Sequence, residues 1–296
     1  MIMPGRATER LVRLPDNFQF SQSNLQDYVD CPRRFQLRYV LMQPWPSLIT
    51  SSPLEFERYM QQTADFHRLA RQYAHGIDRG QLAATIHDEP LQSWWHTFLD
   101  HPPPDLPQTF PNPETRPELM LSAPVLIPRP GYRLVARFDL LVAEPGGCLV
   151  IVDWKAVRKL PSRTALARRL QTRVYRYLAV EAGAAFNGGQ RPQPERVEMV
   201  YWFAAHGGAT ERFPYDSAQH TADRAYLTSL VGEIAAREEL IWPLTPNQEL
   251  CRLCNYRSLC ERGVKPGFPE ELGDDVELPD LDPLRLDLEQ IAEVEF

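Results

Sequence analysis

Leu149-Val150-Ile151-Val152-Asp153-Trp154-Lys155 is an apolar, β-branched run that closes on an acid, an indole and a lysine. Such a run reads as a buried strand. Alternate side chains of a strand share a face, so Asp153 and Lys155 project side by side. A carboxylate beside an ammonium at a strand end can hold a divalent cation and act on a water near it. Upstream, Asp139 ends a second apolar run, Tyr132-Arg133-Leu134-Val135-Ala136-Arg137-Phe138, and Pro145-Gly146-Gly147 lies between the two runs. A turn there predicts a hairpin that brings Asp139 near Asp153. Asp-x-Lys alone is a short pattern, common on solvated strand rims. Lysine usage gives it weight, because the chain has only Lys155, Lys159 and Lys265, and arginine supplies every other basic residue. Burial tunes the charge and proton of a lysine far more readily than those of an arginine.

The 296 residues, 43% hydrophobic and 24% charged, suit one large globular domain with an appendage. No run of apolar residues reaches the length of a membrane span, so no membrane association is expected. Residues 1–17 lack the apolar centre of a secretory signal, and a cytoplasmic location is expected. Five cysteines in such a chain point to metal or redox use rather than a disulfide framework. The net charge of −7 is unevenly spread: eleven acids against Lys265 and Arg285 make residues 265–296 −9, which leaves residues 1–264 at +2. The expected organisation is a mildly basic body, 1–264, and an acidic tail, 265–296. A body of that charge is compatible with a phosphate-backbone partner.

Taken in order, Ser23 is the expected N-cap of a helix with Leu25, Tyr28 and Val29 on one face, and Pro32 opens a second. Cys31 stands at the joint. Long helical patterns cover residues 54–73, which include His67, and 80–99, which include Trp94 and Trp95. The proline-rich residues 101–117 are expected to carry no regular structure. Strands are expected at 118–128, 132–143, 149–155 and 196–203, with a short edge strand near 211–214. Helices are expected at 162–182 and 216–240. On the first of these, Gln171 and Tyr175 are four apart and share a face.

Cys251-Arg252-Leu253-Cys254-Asn255-Tyr256-Arg257-Ser258-Leu259-Cys260 gathers three thiols with ligand spacing for iron–sulfur or zinc. A fourth ligand must come from elsewhere. Cys148, in or beside the hairpin, is better explained by packing, and Cys31 is the better candidate.

Together these pieces resemble the PD-(D/E)XK nuclease superfamily, in the branch of RecB/AddB-type and CRISPR-associated exonucleases with a four-cysteine iron–sulfur cluster. The resemblance rests on motifs in order: Ser21-x-Ser23-x-Leu25-x-x-Tyr28-x-x-Cys31-Pro32-Arg33-Arg34-Phe35, His67, Phe138-Asp139, Asp153-Trp154-Lys155, Gln171-x-x-x-Tyr175, and the three-cysteine group. It spans about residues 20–262. It implies an α/β fold, a mixed central β-sheet flanked by helices, restriction-endonuclease-like, with an iron–sulfur clasp joining the N- and C-terminal segments. It implies that His67, Asp139, Asp153 and the main-chain carbonyl of Trp154 bind Mg²⁺ or Mn²⁺, and that Lys155 positions or activates the attacking water. Gln171 and Tyr175 would hold substrate or neighbouring groups. Cys31, Cys251, Cys254 and Cys260 would hold a [4Fe-4S] cluster, with zinc as the alternative. The family often has glycine three residues before the first acid, and Ala136 stands there in this chain.

The expected activity is metal-dependent hydrolysis of DNA at its ends, single strands favoured, in repair, recombination or CRISPR adaptation. A helicase or a CRISPR adaptation protein is the expected partner. The alternative is a catalytically silent, nuclease-like scaffold beside a helicase. Trp45, Tyr59, Trp94 and Trp95 are candidates to stack on bases, with core packing the competing role. The tail, with Leu278, Leu281, Leu284, Leu286, Leu288 and Ile291 among its acids, is either a solubilising segment or one that binds a partner or the DNA groove.

Overall fold

The computed structural model describes residues 13–43, 53–103, 115–125, 127, 131–143, 147–252, 254–265 and 267, the side chains of 53–57 and 60 excepted. All of the acidic tail but Lys265 and Gly267 lies outside the described residues, as do Trp45, the Pro145-Gly146 pair and most of the proline-rich segment.

The chain runs β1 (Gln19–Phe20), α1 (Gln22–Asp30), α2 (Pro32–Phe35) and a π-helical turn (Gln36–Val40), then α3 (Pro53–Ala74), α4 (Arg79–Ala83) and α5 (Glu89–Asp100). Three strands follow: β2 (Thr115–Pro124), β3 (Arg133–Ala143) and β4 (Leu149–Lys155). The order ends with α6 (Arg163–Arg168), α7 (Leu170–Ala182), β5 (Val197–Phe203), β6 (Ala209–Pro214), α8 (Ser217–Ala235) and α9 (Glu249–Arg252).

One mixed sheet holds the strands, in the order β1-β3-β4-β5-β6 with β2 also on β3. β2 pairs antiparallel along one edge of β3, from Arg133 to Val142. The other edge is shared. β1 takes it in parallel at Arg133 and Leu134, and β4 takes it antiparallel from Leu140 to Ala143. Between those two pairings the edge of β3 has no strand partner among the described residues, and there β3 and β4 splay apart. β4 continues past the splay on β5, with Asp153 beside Tyr201 and Lys155 beside Phe203 in parallel register.

Side-chain alternation explains the two layers that cover the sheet. Leu149 and Ile151 point into a core closed by Leu25 and Tyr28 of α1, Val174 and Leu178 of α7, and Leu227 and Val231 of α8. Val150, Val152 and Trp154 point the other way, onto Phe66 and Leu69 of α3 and Trp95 and Phe98 of α5. Burying each of these side chains contributes on the order of 1.5–3 kcal/mol, so the alternation fixes the register of β4. β3 changes step midway. Leu134, Ala136 and Phe138 belong to the first layer, Leu140 to the second, and Leu141 and Ala143 to the first again. The change falls at Asp139. Directly across the ladder, between Pro117 and Leu119, stands Glu118, a non-glycine in the left-handed region with φ 52°. Such a conformation costs roughly 1–3 kcal/mol.

Several expectations need correction. Ser21, not Ser23, caps α1, in a reciprocal capping box with Asn24. Val29 is 47% exposed, off the buried face of Leu25 and Tyr28. Residues 80–99 form two helices, because the Asp88 side chain caps Leu91 N–H and Pro90 sits in the first turn of α5. Residues 162–182 also divide, at Arg169, whose backbone is extended. β2 begins at Thr115, inside the segment expected to be irregular. Cys148 is exposed at the hairpin end rather than packed in the core. Tyr59, Trp94 and Trp95 are buried, so none of them presents a stacking surface to a base. Ala136 is fully buried against the first layer, so its methyl is accommodated. Among the described residues no helix is long and apolar enough to cross a membrane.

Candidate active site

The splay between β3 and β4 collects the acids, and a helix from each layer completes the surroundings. From the first layer, α7 brings Gln171, whose Nε2 donates to Asp153 Oδ1 at 2.7 Å. From the second, α3 brings His67, whose Nδ1 lies 3.3 Å from Asp139 Oδ1. The other Asp139 oxygen accepts the main-chain N–H of Trp154 at 3.0 Å. That N–H lies beyond the end of the β3–β4 ladder, so the carboxylate takes the place of the missing strand carbonyl. The Trp154 ring is buried against Phe98 at a centroid distance of 5.8 Å, which leaves only its main chain facing the acids.

Lys155 Nζ stands 2.9 Å from Asp153 Oδ2. That oxygen is buried, and the ammonium favours its ionised form by charge and by hydrogen bonding. The lysine side chain is 20% exposed, within reach of solvent. Burial pushes the Asp153 carboxyl above the usual carboxylate range; Lys155 pulls it back, and the neighbouring Asp139 charge raises it again. A raised pKa means that this residue stabilises the fold when protonated, and that the stabilisation is lost as pH rises through the folded-state value. Asp153→Asn, which keeps the acceptor for Gln171 and removes the buried charge, should therefore raise the melting temperature in chelator by a few degrees at neutral pH. Differential scanning calorimetry checks this, and a lower melting temperature would contradict it.

Tyr175, one turn along α7, spends its hydroxyl on the Arg137 carbonyl at 2.9 Å and packs on Phe138 at 4.9 Å. These contacts hold β3 in place beside Asp139. Tyr201 was not singled out by sequence. Its hydroxyl lies 2.7 Å from Thr172 Oγ1 and donates to Gln171 Oε1 at 3.5 Å, and its ring centroid is 5.8 Å from Lys155 Nζ. The parallel pairing of β4 with β5 places Tyr201 beside Asp153, and that pairing was the signal available.

The donor set fits a hard divalent cation: two carboxylates, one of whose oxygens is buried beside the Lys155 ammonium, an imidazole and a main-chain carbonyl. Among the described residues no three His, Cys, Asp or Glu side chains are already arranged as a metal cage.

A second constellation lies where the terminal segments meet. Cys31, Cys251, Cys254 and Cys260 line one cavity with Arg34, Arg257 and Arg262. Cys31 sits at the α1–α2 joint, Cys251 on α9, Cys254 at the following turn and Cys260 at the end of a 3-10 turn. Arg34 is buried and paired with Asp27 at 2.8 Å and Asp30 at 2.6 Å. Burial pushes the Cys254 thiol up to about 11 against the opposing pull of Arg34. The Cys260 thiol is also raised, by burial and by Cys31. Thiols held protonated in this way are poor nucleophiles, and among the described residues the four are not arranged as a ready-made metal cage. Protein contacts also join the segments: Arg33 N–H donates to Pro243 O at 3.0 Å, Tyr256 hydroxyl to Gln43 O at 3.1 Å, and Trp242 stacks on Phe35 at 5.7 Å.

Fold and site thus define an α/β protein with a carboxylate–lysine centre at a splayed pair of strands in a mixed sheet. The chain belongs to the PD-(D/E)XK nuclease superfamily, whose family model matches residues 19–261. Among solved structures, an Eubacterium rectale protein provisionally named an exonuclease is similar at 10% identity and a TM-score of 0.45, over 90% of this chain and 96% of that one. The crystal structure of SSO0001 is similar at 11% identity and a TM-score of 0.42, over 87% of this chain and 93% of that one. No curated protein matches the chain in sequence.

Proposed function

We propose that the protein is a divalent-metal-dependent deoxyribonuclease, an exonuclease acting on DNA ends with single strands favoured, in repair, recombination or CRISPR adaptation. The observation that carries this reading is the meeting of Asp139, Asp153, Lys155 and His67 at the β3–β4 splay. His67, Asp139, Asp153 and the Trp154 carbonyl would hold Mg²⁺ or Mn²⁺, which when bound lowers the pKa of a water and neutralises phosphate oxygens. Among the described residues Lys155 carries the ammonium beside the acids. It orients the attacking water through its protons and stabilises the charge that grows on the phosphate. Gln171 fixes the rotamer of Asp153, and Tyr175 fixes the strand that bears Asp139. The four cysteines would hold a [4Fe-4S] cluster, or zinc, as a clasp rather than as a reacting centre. The basic body, residues 1–264, is the unit that binds DNA; a helicase or CRISPR adaptation protein would deliver the ends.

End-labelled single- and double-stranded DNA, offered with Mg²⁺ or Mn²⁺ and with chelator as control, tests this. The expected result is a metal-dependent ladder from linear single strands and little cutting of a covalently closed circle. Equal cutting of the circle would reject the exonuclease assignment. Intact DNA under every ion, with a folded protein, would reject the nuclease assignment.

A further inference from the structure

The proposed chemistry uses the acids and the lysine but leaves two charged groups beside them unexplained. Glu118 faces Asp139 across the β2–β3 ladder, with left-handed backbone in the middle of a strand. Its carboxylate lies 3.3 Å from Arg137 Nε, the two side chains being 19% and 29% exposed. Among the described residues Glu118 is the side-chain partner of that guanidinium. Arg137 stands two residues before Asp139, between Ala136 and Phe138, both of which point into the first layer. Its side chain therefore emerges on the opposite face, the face from which α3 brings His67 to Asp139. The Arg137 carbonyl is fixed by the Tyr175 hydroxyl at 2.9 Å, so the strand beneath the guanidinium is anchored from the other layer.

We propose that Arg137 is a substrate-binding residue that grips a DNA phosphate next to the reacting one, and that Glu118 is the positioning residue that aims it. The inference deepens the nuclease reading and rests on its placement of Asp139 at the reacting centre. A planar guanidinium on a side chain 29% exposed matches phosphate geometry. A partly exposed arginine would otherwise sample many rotamers, and the Glu118 contact holds its Nε side while leaving the terminal nitrogens for a ligand. The left-handed backbone at Glu118 falls where the two strands change step beside Asp139, and it sets the direction from which the carboxylate reaches Arg137.

The test is binding of a fluorescent single-stranded oligonucleotide in chelator, where no cutting occurs, followed across about 50 to 200 mM salt. Arg137→Gln should weaken binding roughly tenfold at low salt and reduce the salt slope by about 0.7, the share of one phosphate contact on a single strand. Arg137→Lys should recover the slope but only part of the affinity. Glu118→Gln should weaken binding with the slope intact, because the cation remains and only its aim is lost. Glu118→Gly, which tolerates the left-handed backbone, gives a second variant of the same kind should the glutamine protein fold poorly. Mn²⁺ binding by calorimetry should be unchanged in all of them. A wild-type slope and affinity in Arg137→Gln would overturn the proposal. Loss of Mn²⁺ binding in Glu118→Gln would also overturn it, by making Glu118 an ion ligand instead. The two readings fail separately: a protein that never cuts, yet loses salt slope in Arg137→Gln, would retain the phosphate grip and reject the nuclease assignment.

Discussion

Lys155→Ala should lower the rate of DNA cleavage by about 10²–10⁴-fold, the usual loss when one positioned proton-transfer or charge-stabilising group is removed. The protein should still fold, with a melting temperature a few degrees lower at neutral pH, because the buried Asp153 carboxylate loses the ammonium 2.9 Å away that offsets its burial. Two effects contribute. Removal of the ammonium leaves the growing charge on the phosphate without its nearest cation. It also removes the charge that opposes the upward shift of Asp153, so that carboxyl rises further and a larger share of it is protonated near neutral pH. The second effect should appear as weaker Mn²⁺ binding that recovers as pH is raised, whereas the loss of charge stabilisation should not recover. Lys155→Met separates packing from charge, because it keeps the stem beside Tyr201 while lacking the ammonium, and it should be as inactive as alanine. Cleavage assays, calorimetry with Mn²⁺ and thermal melts on the same preparations read all three quantities. Unchanged hydrolysis in either variant would remove Lys155 from the reaction.

Much of this site was legible because the physics that builds it is local. Alternation along residues 149–155, β-branched residues facing both ways and an acid at the end describe a buried strand whose last residues leave the core. The structure places that strand where the pattern does. What could not be read depends on partners far away in sequence. Ser21 and Ser23 are equal candidates to cap α1; Ser21 wins because Asn24 returns its hydrogen bond and also donates to the Gln19 carbonyl, which enters β1. The break between α4 and α5 was written in Asp88 and Pro90, but the apolar periodicity runs through both halves and masks it. The left-handed backbone of Glu118 has no signal in a glutamate, a residue that seldom adopts it. It follows from two strands changing step together at Asp139, a property of the sheet. The cysteine spacing gave three members of the second constellation, and Cys31 was singled out against Cys148 by its place at a helix joint; the packing of Phe35 on Trp242 is what brings it to them.

Cys251→Ser should lower the melting temperature of the metal-loaded protein by roughly 10 °C, as expected for losing a cross-link of about 3–5 kcal/mol in a domain this large. The clasp would tie Cys31 to Cys251, Cys254 and Cys260, closing most of the chain into a loop, and long loops gain most from closure. The loss should stop short of unfolding. Residues 31–43 and 240–256 are also held by the Arg33–Pro243 and Tyr256–Gln43 hydrogen bonds, by Gln36 bridging Leu240 and Trp242, and by the Phe35–Trp242 stack. Arg34 sharpens the expectation. It is buried between Asp27 and Asp30 at the edge of the thiol cavity, so two carboxylates already balance it. The fold therefore does not depend on thiolate charge to satisfy its guanidinium, and the metal-free state remains folded. Wild type stripped of metal should melt close to Cys251→Ser, and Cys148→Ser, an exposed thiol away from the cavity, should melt like wild type. Elemental analysis of anaerobically purified protein identifies what the thiols hold: iron with sulfide for a cluster, zinc without them for the alternative. An unaltered melting curve in Cys251→Ser would show that the protein contacts alone join the two segments and that the four thiols are not a clasp.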